Sequence, residues 1–229
     1  MIDLVAGAPD SATAQRVLDA AERLFYSRGV QAVGIDAVVA EAGVATKTLY
    51  AHFGSKDGLV EAYLRRRDRR WLDWLHRRLD TTGDNRQRVL AVFDALGEWF
   101  AEPGFSGCAF INVAGELADN PMARAVAREH KLALRALLHR VAADAGVPDP
   151  GTLAERLMLL VEGAIVTAYV EGDQSAAARA RSAAAALLDC ADRPSKEDAW
   201  AAVESALAAE DSTGSTLAQI VRDVREDRR

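Results

Sequence analysis

Apolar residues recur every three or four positions along most of this chain, which is the spacing of one buried face of an α-helix. In the first such segment the face is formed by Ala14, Val17, Leu18, Ala21, Leu24 and Phe25. Thr13 is the predicted cap before this helix, and Ser11 competes for the role. Gly29 suits the left-handed position after its end. Because no segment alternates apolar and polar residues as a strand does, the sequence predicts an all-α fold.

The next two segments are short and meet at a glycine. The second has an apolar face formed by Ile35, Val38, Val39 and Ala42. It ends at Gly43, and Val44 and Leu49 of the third segment can pack on the same small core. Two helices joined by a short glycine turn form a helix-turn-helix, whose second helix fits the DNA major groove. The residues left outward on that helix are Thr46, Lys47, Thr48, Tyr50, Ala51 and His52.

A longer fourth segment starts at Lys56 or Asp57 and extends to about Leu79. Five further helices are predicted after it, over residues 85–101, 108–118, 122–146, 152–171 and 175–190. Proline and glycine clusters separate them. Two amphipathic segments follow beyond residue 190, and their apolar faces contain Trp200, Val203 and Leu207, then Leu217, Ile220, Val221 and Val224.

The composition limits the class of protein. The chain has 229 residues, 50% of them hydrophobic, which suffices for a small module and a larger helical domain. No apolar run approaches the roughly 20 residues of a membrane span, and the first residues lack the pattern of a secretory signal, so we expect a cytoplasmic protein. Cys108 and Cys190 lie far apart and have no zinc-type spacing. We therefore predict neither a metal nor a cofactor.

The formal net charge of −6 is unevenly distributed along the chain. Residues 1–79 contain 12 basic and 10 acidic residues, whereas residues 80–229 contain 16 and 24. The negative charge of the second part should keep it away from DNA. An arginine-rich run at residues 65–70 has two interpretations, a nucleic-acid contact or a solvated helix face, and we favour the solvated face.

A specific motif extends from the second segment into the fourth. It reads AGVATKTLYAHFGSKDGL and contains Ala42-Gly43-Val44, Leu49-Tyr50-x-His52-Phe53 and Ser55-Lys56. In this combination the stretch 13–59 resembles the DNA-binding domain of the TetR (tetracycline-repressor-like) family of bacterial regulators. The chain departs from many members at Gly34 and Ala45, where they carry Ser or Thr caps. Because alanine is a poor cap, Thr46 has two open roles, as the cap of the third helix or as a DNA contact.

The resemblance implies an all-α homodimer with an N-terminal three-helix helix-turn-helix domain and a C-terminal helical ligand-binding and dimerisation domain. We assign residues 11–56 to the first, 57–190 to the second and 191–229 to a C-terminal helical extension. The implied function is transcriptional regulation by a repressor that a small hydrophobic inducer releases from a palindromic double-stranded DNA operator. Two alternatives stay open: a constitutive DNA-binding module without a ligand, and an all-α enzyme, for which the sequence offers no nucleophile–base pair.

The predicted DNA contacts divide by chemistry. Tyr50, Thr48 and Lys56 are expected to hold the phosphate backbone, which positions the protein without reading sequence. Lys47, together with Thr46 or Ala51, is expected to face base edges, where a lysine can donate to guanine. His52 fits either role.

A ligand site is predicted where aromatic residues concentrate in the second part of the chain. Its candidate residues are Trp71, Phe93, Trp99, Phe100, Phe110, Asn112, Glu116 and Glu162. A largely apolar cavity with a few polar groups is typical of drug-sized ligand sites. The alternative is core packing for the aromatics and surface or capping roles for the carboxylates. If the carboxylates face the cavity, a ligand with a cationic or hydrogen-donating group is expected. We interpret Cys108 as a buried small side chain rather than a thiol sensor.

The helices predicted over 152–171 and 175–190 are the expected dimer interface. Their small residues permit close helix approach, namely Gly163, Ala164, Ala168, Ala183, Ala184 and Ala185. Their apolar area comes from Leu159, Ile165, Val166, Leu187 and Leu188. The alternative is that both helices belong to the core of one subunit. We expect the C-terminal extension to enlarge the interface; the alternative is a disordered tail, against which its two apolar faces argue.

Overall fold

The computed structural model describes residues 11–191, 200–201 and 203–205. Its helices are α1 (Ala12–Arg28), α2 (Ile35–Ala42), α3 (Thr46–Phe53), α4 (Lys56–Asp80), α5 (Asn85–Phe100), α6 (Ala109–Glu116), α7 (Pro121–Asp144), α8 (Pro150–Glu171) and α9 (Ala176–Ala191). No strand occurs within these ranges, and the all-α prediction is confirmed.

Two compact units divide the chain, Met1–Leu188 and Asp189–Arg229. Within the second unit, residues 200–201 and 203–205 are helical, and Trp200 and Val203 are partly exposed. The final amphipathic segment predicted over residues 217–224 lies outside the described residues. The role assigned to the extension therefore stays a prediction.

The helices after α4 begin and end close to the predicted positions. No start or end differs by more than two residues, and α7 and α8 begin at Pro121 and Pro150. Asn120 and Asp149 cap them, because each side chain accepts hydrogen bonds from N–H groups of the first turn. A proline fits the first helical position, where its missing N–H would have had no partner.

The start of α1 differs from the prediction. The Oγ atom of Ser11 accepts a hydrogen bond from the N–H of Ala14 at 3.1 Å, so Ser11 is the cap. Thr13 lies inside the first turn, and its assignment as the cap was wrong. A cap must precede the helix with extended backbone, and Ser11 has φ −76° and ψ 140°.

The first three helices form a small head whose core is completed by α4. Gly43 ends α2 with φ 63° and ψ 40°, a left-handed conformation that a glycine adopts without strain. This turn reverses the chain within three residues and starts α3 at Thr46. Leu18, Leu49 and Leu59, from α1, α3 and α4, are at most 1% exposed. Their packing holds α3 on the head and leaves its other face outside.

Ala45 occupies the cap position of α3 and makes no side-chain hydrogen bond there. Its carbonyl oxygen accepts from the N–H of Thr48 at 2.9 Å. Thr46 is the first residue of the helix and is exposed. The suggestion that Thr46 caps α3 is therefore wrong, and its side chain is left on the outer surface.

The 25-residue helix α4 belongs to both the head and the larger body of the first unit. Tyr63 and Leu64 in its first half and Leu75 and Leu79 in its second half are buried, and the helix contacts α1, α5 and α7. In the body α7 runs against α8, and α5 completes the core. Any movement of α4 relative to the body therefore also moves the head.

Arg66 and Arg67 of the arginine run of α4 pack against α1, whereas the end of the run is exposed. Arg66 is 9% exposed and donates to Asp19 at 2.8 Å and to Glu22 at 2.6 Å. Arg67 and Arg70 also reach Glu22, at 3.3 and 3.0 Å. The prediction of a solvated face is wrong for Arg66 and Arg67 because two carboxylates on a neighbouring helix draw their guanidinium groups inward.

Candidate DNA-binding surface and ligand cavity

The outer face of α3 contains most of the residues predicted to contact DNA. Leu49 is fully buried and holds the helix on the head, whereas Tyr50 is 44% exposed. Thr48 is half-buried. The exposed members of the set are Thr46, Lys47, Tyr50, Ala51 and His52. Positions 46, 47, 50 and 51 share one helix face by their spacing, so hydroxyl, ammonium and phenol groups are presented together.

The start of α4 lies beside the end of α3. Ser55 caps α4, since its Oγ accepts from the N–H of Gly58 at 3.0 Å. A Cβ atom added to Gly58 would lie 2.1 Å from the carbonyl oxygen of Phe53, so only glycine permits this close approach. Lys56, the first residue of α4, is half-buried at this junction. Its ammonium and the N–H groups of the first turn form a surface suited to a phosphate.

The body contacts the head just before α6. The hydroxyl of Tyr26 on α1 donates to the carbonyl oxygen of Gly107 and accepts from the N–H of Ser106, both at 3.0 Å. Burial raises the pKa of Tyr26 above its ordinary value, so the phenol stays protonated and able to donate. The guanidinium of Arg67 stacks on the same ring, 3.6 Å from its centroid. This contact joins α1, α4 and the segment leading into α6.

A second contact between head and body lies at the end of α6. The carboxylate of Glu116 accepts a hydrogen bond from the backbone N–H of Gln31 at 2.8 Å, and the Gln31 side chain donates to the carbonyl oxygen of Glu116. Gly29 lies against this carboxylate with φ 85°. Nearby, Asn120 donates to Asp57 at 3.0 Å. The turn between α1 and α2 is therefore fixed by α6.

The body contains a small inner cavity between α4, α5, α6, α7 and α8. The volume open to a water-sized molecule is about 10 Å³, which is room for about one water. The cavity is lined by Arg67, Trp71, Trp99, Cys108, Ala109, Phe110, His130, Lys131, Leu134 and Ile165.

An outer groove shares a wall with the inner cavity and has about 170 Å³ of open volume. Arg67, Trp71 and Trp99 line both the groove and the inner cavity. The two indole rings meet edge to face with centroids 5.8 Å apart. The Nε1 atom of Trp71 is buried and has no hydrogen-bond partner among the described residues. The wall is thus held mainly by ring packing. The groove is completed by Arg70, Trp74 and Glu102.

His130 is the buried titratable group of the inner cavity. Its ring stacks on Phe110 at 3.8 Å between centroids, and its Nδ1 lies 2.7 Å from the carboxylate of Asp68. Burial lowers the pKa of His130, although the hydrogen bond with Asp68 opposes that shift. The imidazole is therefore neutral at pH 7, and its Nδ1–H donates to Asp68.

Lys131 places an ammonium group at the same cavity. Its Nζ lies 2.6 Å from Glu162 and 3.4 Å from the Sγ of Cys108. Cys108 is buried and forms no disulfide, and the burial agrees with the interpretation of a buried small side chain. Glu162 holds the lysine but does not line the cavity.

Three of the predicted ligand-site residues, Trp71, Trp99 and Phe110, border the inner cavity. Phe93 and Phe100 do not, since they are 1% and 2% exposed in the core of the body. The spacing of aromatics along α5 indicates a buried face, and a buried face consists mostly of core rather than cavity wall.

The three polar ligand-site candidates also lie elsewhere. Asn112 donates to the carbonyl oxygen of Ser106 at 2.9 Å and holds the segment before α6. Glu116 contacts the head, and Glu162 pairs with Lys131 outside the cavity lining. The structure therefore does not support the expectation of carboxylates facing the cavity.

Sequence reasoning missed the polar residues that do line the cavity, namely Arg67, His130 and Lys131. Helical spacing offered a signal for the first, because Arg67 precedes the predicted site residue Trp71 by one turn of α4. That signal was not used, because Arg67 lies within a run of charged residues that was interpreted as a solvated helix face.

The outer face of α8 exposes an apolar stripe. Leu159 and Val170 are 74% and 73% exposed, and Val166 is 48% exposed. Gly163 is exposed on the same face. Contiguous exposed apolar side chains of this kind mark interaction sites. Five other residues predicted for the interface instead pack within their own unit and are buried: Ala164, Ile165, Ala168, Ala184 and Leu188.

Two further features are absent from the described ranges. No helix there is long and apolar enough to cross a membrane. No group of three or more metal-ligating side chains occurs in the same ranges either.

Family models match both parts of the chain. The model for bacterial regulatory proteins of the tetR family matches residues 17–63, which include α2 and α3. The model for the C-terminal domain of tetracyclin repressor-like proteins matches residues 85–184. The first match covers the outer face of α3, and the second covers most of the cavity lining.

Curated relatives are regulators of transcription. The activator FasR of Mycolicibacterium smegmatis is 40% identical over 81 residues, which are 35% of this chain and 37% of that protein. The repressor KstR2 of Mycobacterium tuberculosis is 30% identical over 124 residues, 52% of this chain and 60% of that protein. These matches span less than two thirds of either relative.

Solved structures match over more of their length. A TetR-family transcriptional regulator from Streptomyces coelicolor has a TM-score of 0.74 and 30% identity, covering 80% of this chain and 91% of that one. A second structure, from Streptomyces avermitilis, has a TM-score of 0.71 and 32% identity, covering 80% of this chain and all of that one.

Proposed function

This chain belongs to the TetR family of transcriptional regulators, and from that premise we propose that it is a dimeric repressor released from DNA by a small molecule. The family membership makes it a DNA-binding regulator of transcription with a helix-turn-helix, a class of protein distinct from enzymes. Repression, a palindromic operator, release by a ligand and a cytoplasmic location are the proposal. Named relatives include both a repressor and an activator, so repression needs its own test.

For the DNA complex, α3 enters the major groove with its exposed face. Lys47 and its neighbours Thr46 and Ala51 face base edges, where direct readout occurs. Tyr50 contacts the phosphate backbone with Thr48, Lys56 and the first turn of α4. His52, at the end of α3, contacts either a base edge or a phosphate. The support is the exposure of the other members of the set on α3, a helix fixed by the buried Leu49; Thr48 and Lys56 are half-buried.

The dimer forms through the apolar stripe of α8. A helix that packed only within one subunit would not leave side chains as apolar and as exposed as Leu159, Val166 and Val170. Gly163 lies in the middle of the stripe and lets two copies of α8 approach closely. A two-fold dimer places two recognition helices on successive major grooves, about 34–36 Å apart, and predicts a palindromic operator.

One observation carries the ligand-responsive part of the proposal. The segment Cys108–Phe110 lines the inner cavity and starts α6, and the residues on either side of α6 hold the head through Tyr26 and Glu116. One way in which a molecule enlarges the cavity is to displace the start of α6. The same displacement pulls on α1 and on the α1–α2 turn, and so changes the position of α3. A coupling of about 1–3 kcal/mol between the two sites is typical of such regulators.

A second candidate is a constitutive repressor without a ligand. The observation that favours it is the inner cavity of about 10 Å³, which holds no organic molecule unless side chains move. The two candidates differ in whether the body binds any small molecule. A thermal-shift screen of the full chain against hydrophobic compounds, followed by measurement of DNA release, distinguishes them.

The DNA part is tested by selecting duplexes from a random pool with the full chain. We expect a two-fold related sequence, and a selected sequence without that symmetry contradicts the dimeric operator. Tyr50→Ala should weaken binding to selected and random duplexes alike, whereas Lys47→Ala should relax preference at one position of each half-site. Arg135, an exposed cation on α7, provides the control, because Arg135→Ala removes the same charge far along the chain from α3.

A further inference from the structure

The charged side chains that line the inner cavity are cationic, whereas the outer groove is lined by Glu102 as well as by Arg67 and Arg70. Arg67 and Lys131 both line the inner cavity, and no Asp or Glu is among its lining residues in the described part of the chain. Their ion-pair partners, Glu22 and Glu162, are not among the residues that line the cavity. His130 is neutral and uses its Nδ1 proton on Asp68. A cationic ligand would meet two like charges here, whereas an anion would meet two partly buried donors.

The apolar lining is mostly aromatic. Trp71, Trp99 and Phe110 surround the inner cavity, and Trp74 extends the same surface into the outer groove. Flat rings stack well on such a surface, in offset or edge-to-face arrangements. The Nε1 of Trp71 is buried without a hydrogen-bond partner, so rotation of this indole breaks no hydrogen bond of the described structure.

Rotation of Trp71 would join the two cavities. The inner cavity alone has about 10 Å³ and the outer groove about 170 Å³ of open volume, and the indole occupies the wall between them. The volume of the joined space is the sum of the two cavities and the volume that the indole vacates. It approaches the roughly 300 Å³ of a small ligand pocket. Arg67 borders both cavities and so lies within reach of a ligand in either position.

We propose that this joined pocket binds an aromatic carboxylate, whose ring takes the place of the Trp71 indole and whose carboxylate binds Arg67 and Lys131. The proposal rests on the proposed function, since it specifies the chemical class of the ligand that releases DNA. It replaces the cationic ligand expected from the sequence. An arginine fork and a lysine ammonium are the two side chains best suited to a buried carboxylate.

The same assignment explains how binding reaches the head. Arg67 donates to Glu22 at 3.3 Å and stacks on Tyr26, and both partners belong to α1. A ligand carboxylate competes for this guanidinium and draws it toward the pocket. Tyr26 then loses the cation above its ring, and its hydrogen bonds to the segment before α6 are the remaining contact there. The ligand thereby loosens α1 from α4.

The test measures binding of matched probes to the full chain by calorimetry, without DNA. The probes are 2-naphthoate and indole-3-acetate, each compared with its alcohol (2-naphthylmethanol, tryptophol) and its amine (2-naphthylmethylamine, tryptamine). We expect at least one acid to bind ten times more tightly than its alcohol and its amine. Equal affinities within each set, tighter binding of an amine, or no binding by either acid overturns the proposal.

Variants locate the carboxylate. Lys131→Met should abolish the preference for the acid, and Arg67→Lys should retain part of it because the charge is kept. Glu162→Gln should strengthen acid binding several-fold, because Glu162 competes for the same ammonium. Arg65→Met is the matched control, since Arg65 also pairs with carboxylates on α4 and α7 but lines neither cavity. A preference unchanged by Lys131→Met and Arg67→Met overturns the assignment.

A separate readout distinguishes this inference from the proposed function. Acid binding without any change in DNA affinity supports the ligand class and contradicts release by a ligand. DNA release by a neutral or cationic compound, with no acid binding, supports the proposed function and overturns the ligand class. In the Arg67→Met variant the acid can still bind through Lys131, but its binding should no longer change the affinity of the protein for DNA. If the acid changes the DNA affinity of this variant as much as that of the unmodified chain, Arg67 is not the connection to α1.

Discussion

The guanidinium of Arg66 on α4 lies 2.6 Å from the carboxylate of Glu22 on α1, and it also reaches Asp19 at 2.8 Å. Arg66 is 9% exposed, so most of its charge is removed from water and depends on these two partners. Removal of one partner of a buried ion pair typically costs 3–5 kcal/mol. The attachment of the head to α4 is therefore electrostatic as well as apolar.

We predict that Arg66→Met lowers the free energy of unfolding by about 3 kcal/mol, the lower end of that range because Asp19 is half-exposed. Urea unfolding of the full chain measures it. Arg78→Met is the control, since the Arg78–Glu98 pair is half-exposed on both sides and should contribute about 1 kcal/mol or less. If both variants lose the same free energy of unfolding, the burial of Arg66 does not strengthen its ion pairs.

Ala45→Ser is expected to stabilise the protein. Ala45 has the extended backbone of a helix cap, with φ −76° and ψ 147°, but makes no side-chain hydrogen bond. A serine hydroxyl there can accept from the free N–H groups of the first turn of α3, which is worth about 1 kcal/mol. Thermal unfolding measures the gain. Ala51→Ser, inside the same helix, should instead cost a few tenths of a kcal/mol.

Gly29→Ala should destabilise the head for two separable reasons. At φ 85° and ψ 154° the backbone is in a region that is essentially restricted to glycine, which costs about 1–3 kcal/mol for other residues. An added Cβ would also lie 2.9 Å from the Glu116 carboxylate oxygens.

A double-mutant cycle with Glu116→Ala separates these effects. The close contact disappears in that background and the backbone strain stays, so Gly29→Ala should cost about 1 kcal/mol less there. If the cost of Gly29→Ala is the same in both backgrounds, the carboxylate does not press on the turn.

His130 makes stability depend on pH in a defined direction. Burial lowers its pKa in the folded protein below the ordinary value near 6.5, so the unfolded chain binds the proton more readily. Its contribution is therefore complete above about pH 6.5 and is lost as pH falls toward the folded pKa. Asp68, Lys131 and Glu162 modulate this shift.

We predict that His130→Gln reduces the loss of unfolding free energy between about pH 7 and pH 5 relative to the unmodified chain. Urea unfolding at several pH values measures the slope. His139→Gln provides the control, because His139 is exposed on α7. A pH slope that His130→Gln leaves unchanged would show that other groups cause the acid sensitivity.

Leu159→Glu should dissociate the proposed dimer. It places a charge on the most exposed apolar residue of the α8 stripe, which is 74% exposed, and a two-fold interface brings like charges near each other. We expect the dissociation constant to rise about 100-fold or more, measured by sedimentation. Leu132→Glu, at a half-exposed leucine on α7, is the matched substitution and should have little effect. The reverse order of effects would place the interface on α7.

Helix positions could be predicted from the sequence because apolar periodicity and breaking residues act locally. The end of α5, for example, follows from the Pro103-Gly104 break, and the start of α9 follows from the loop before Ser175. The exposed face of α3 could be predicted for the same reason: one buried residue, Leu49, determines which side faces outward.

The cavity could not be predicted in the same way, because it depends on which helices face each other. Glu116 looked like a ligand group from its apolar surroundings, but its partner Gln31 is 85 residues earlier in the chain. Arg67 looked like a surface charge, yet Glu22 and Tyr26 on α1 turn it toward the interior. Long-range pairings of this kind leave no periodic signal.

The wall between the two cavities also gives the protein an optical signal of its own. Of the chain's four tryptophans, Trp71, Trp74 and Trp99 all line the outer groove. The ultraviolet emission of the unlabelled protein therefore comes largely from this one place. A change in the polarity or packing of the wall alters the intensity and wavelength of that emission, so pocket opening can be followed in real time without a dye.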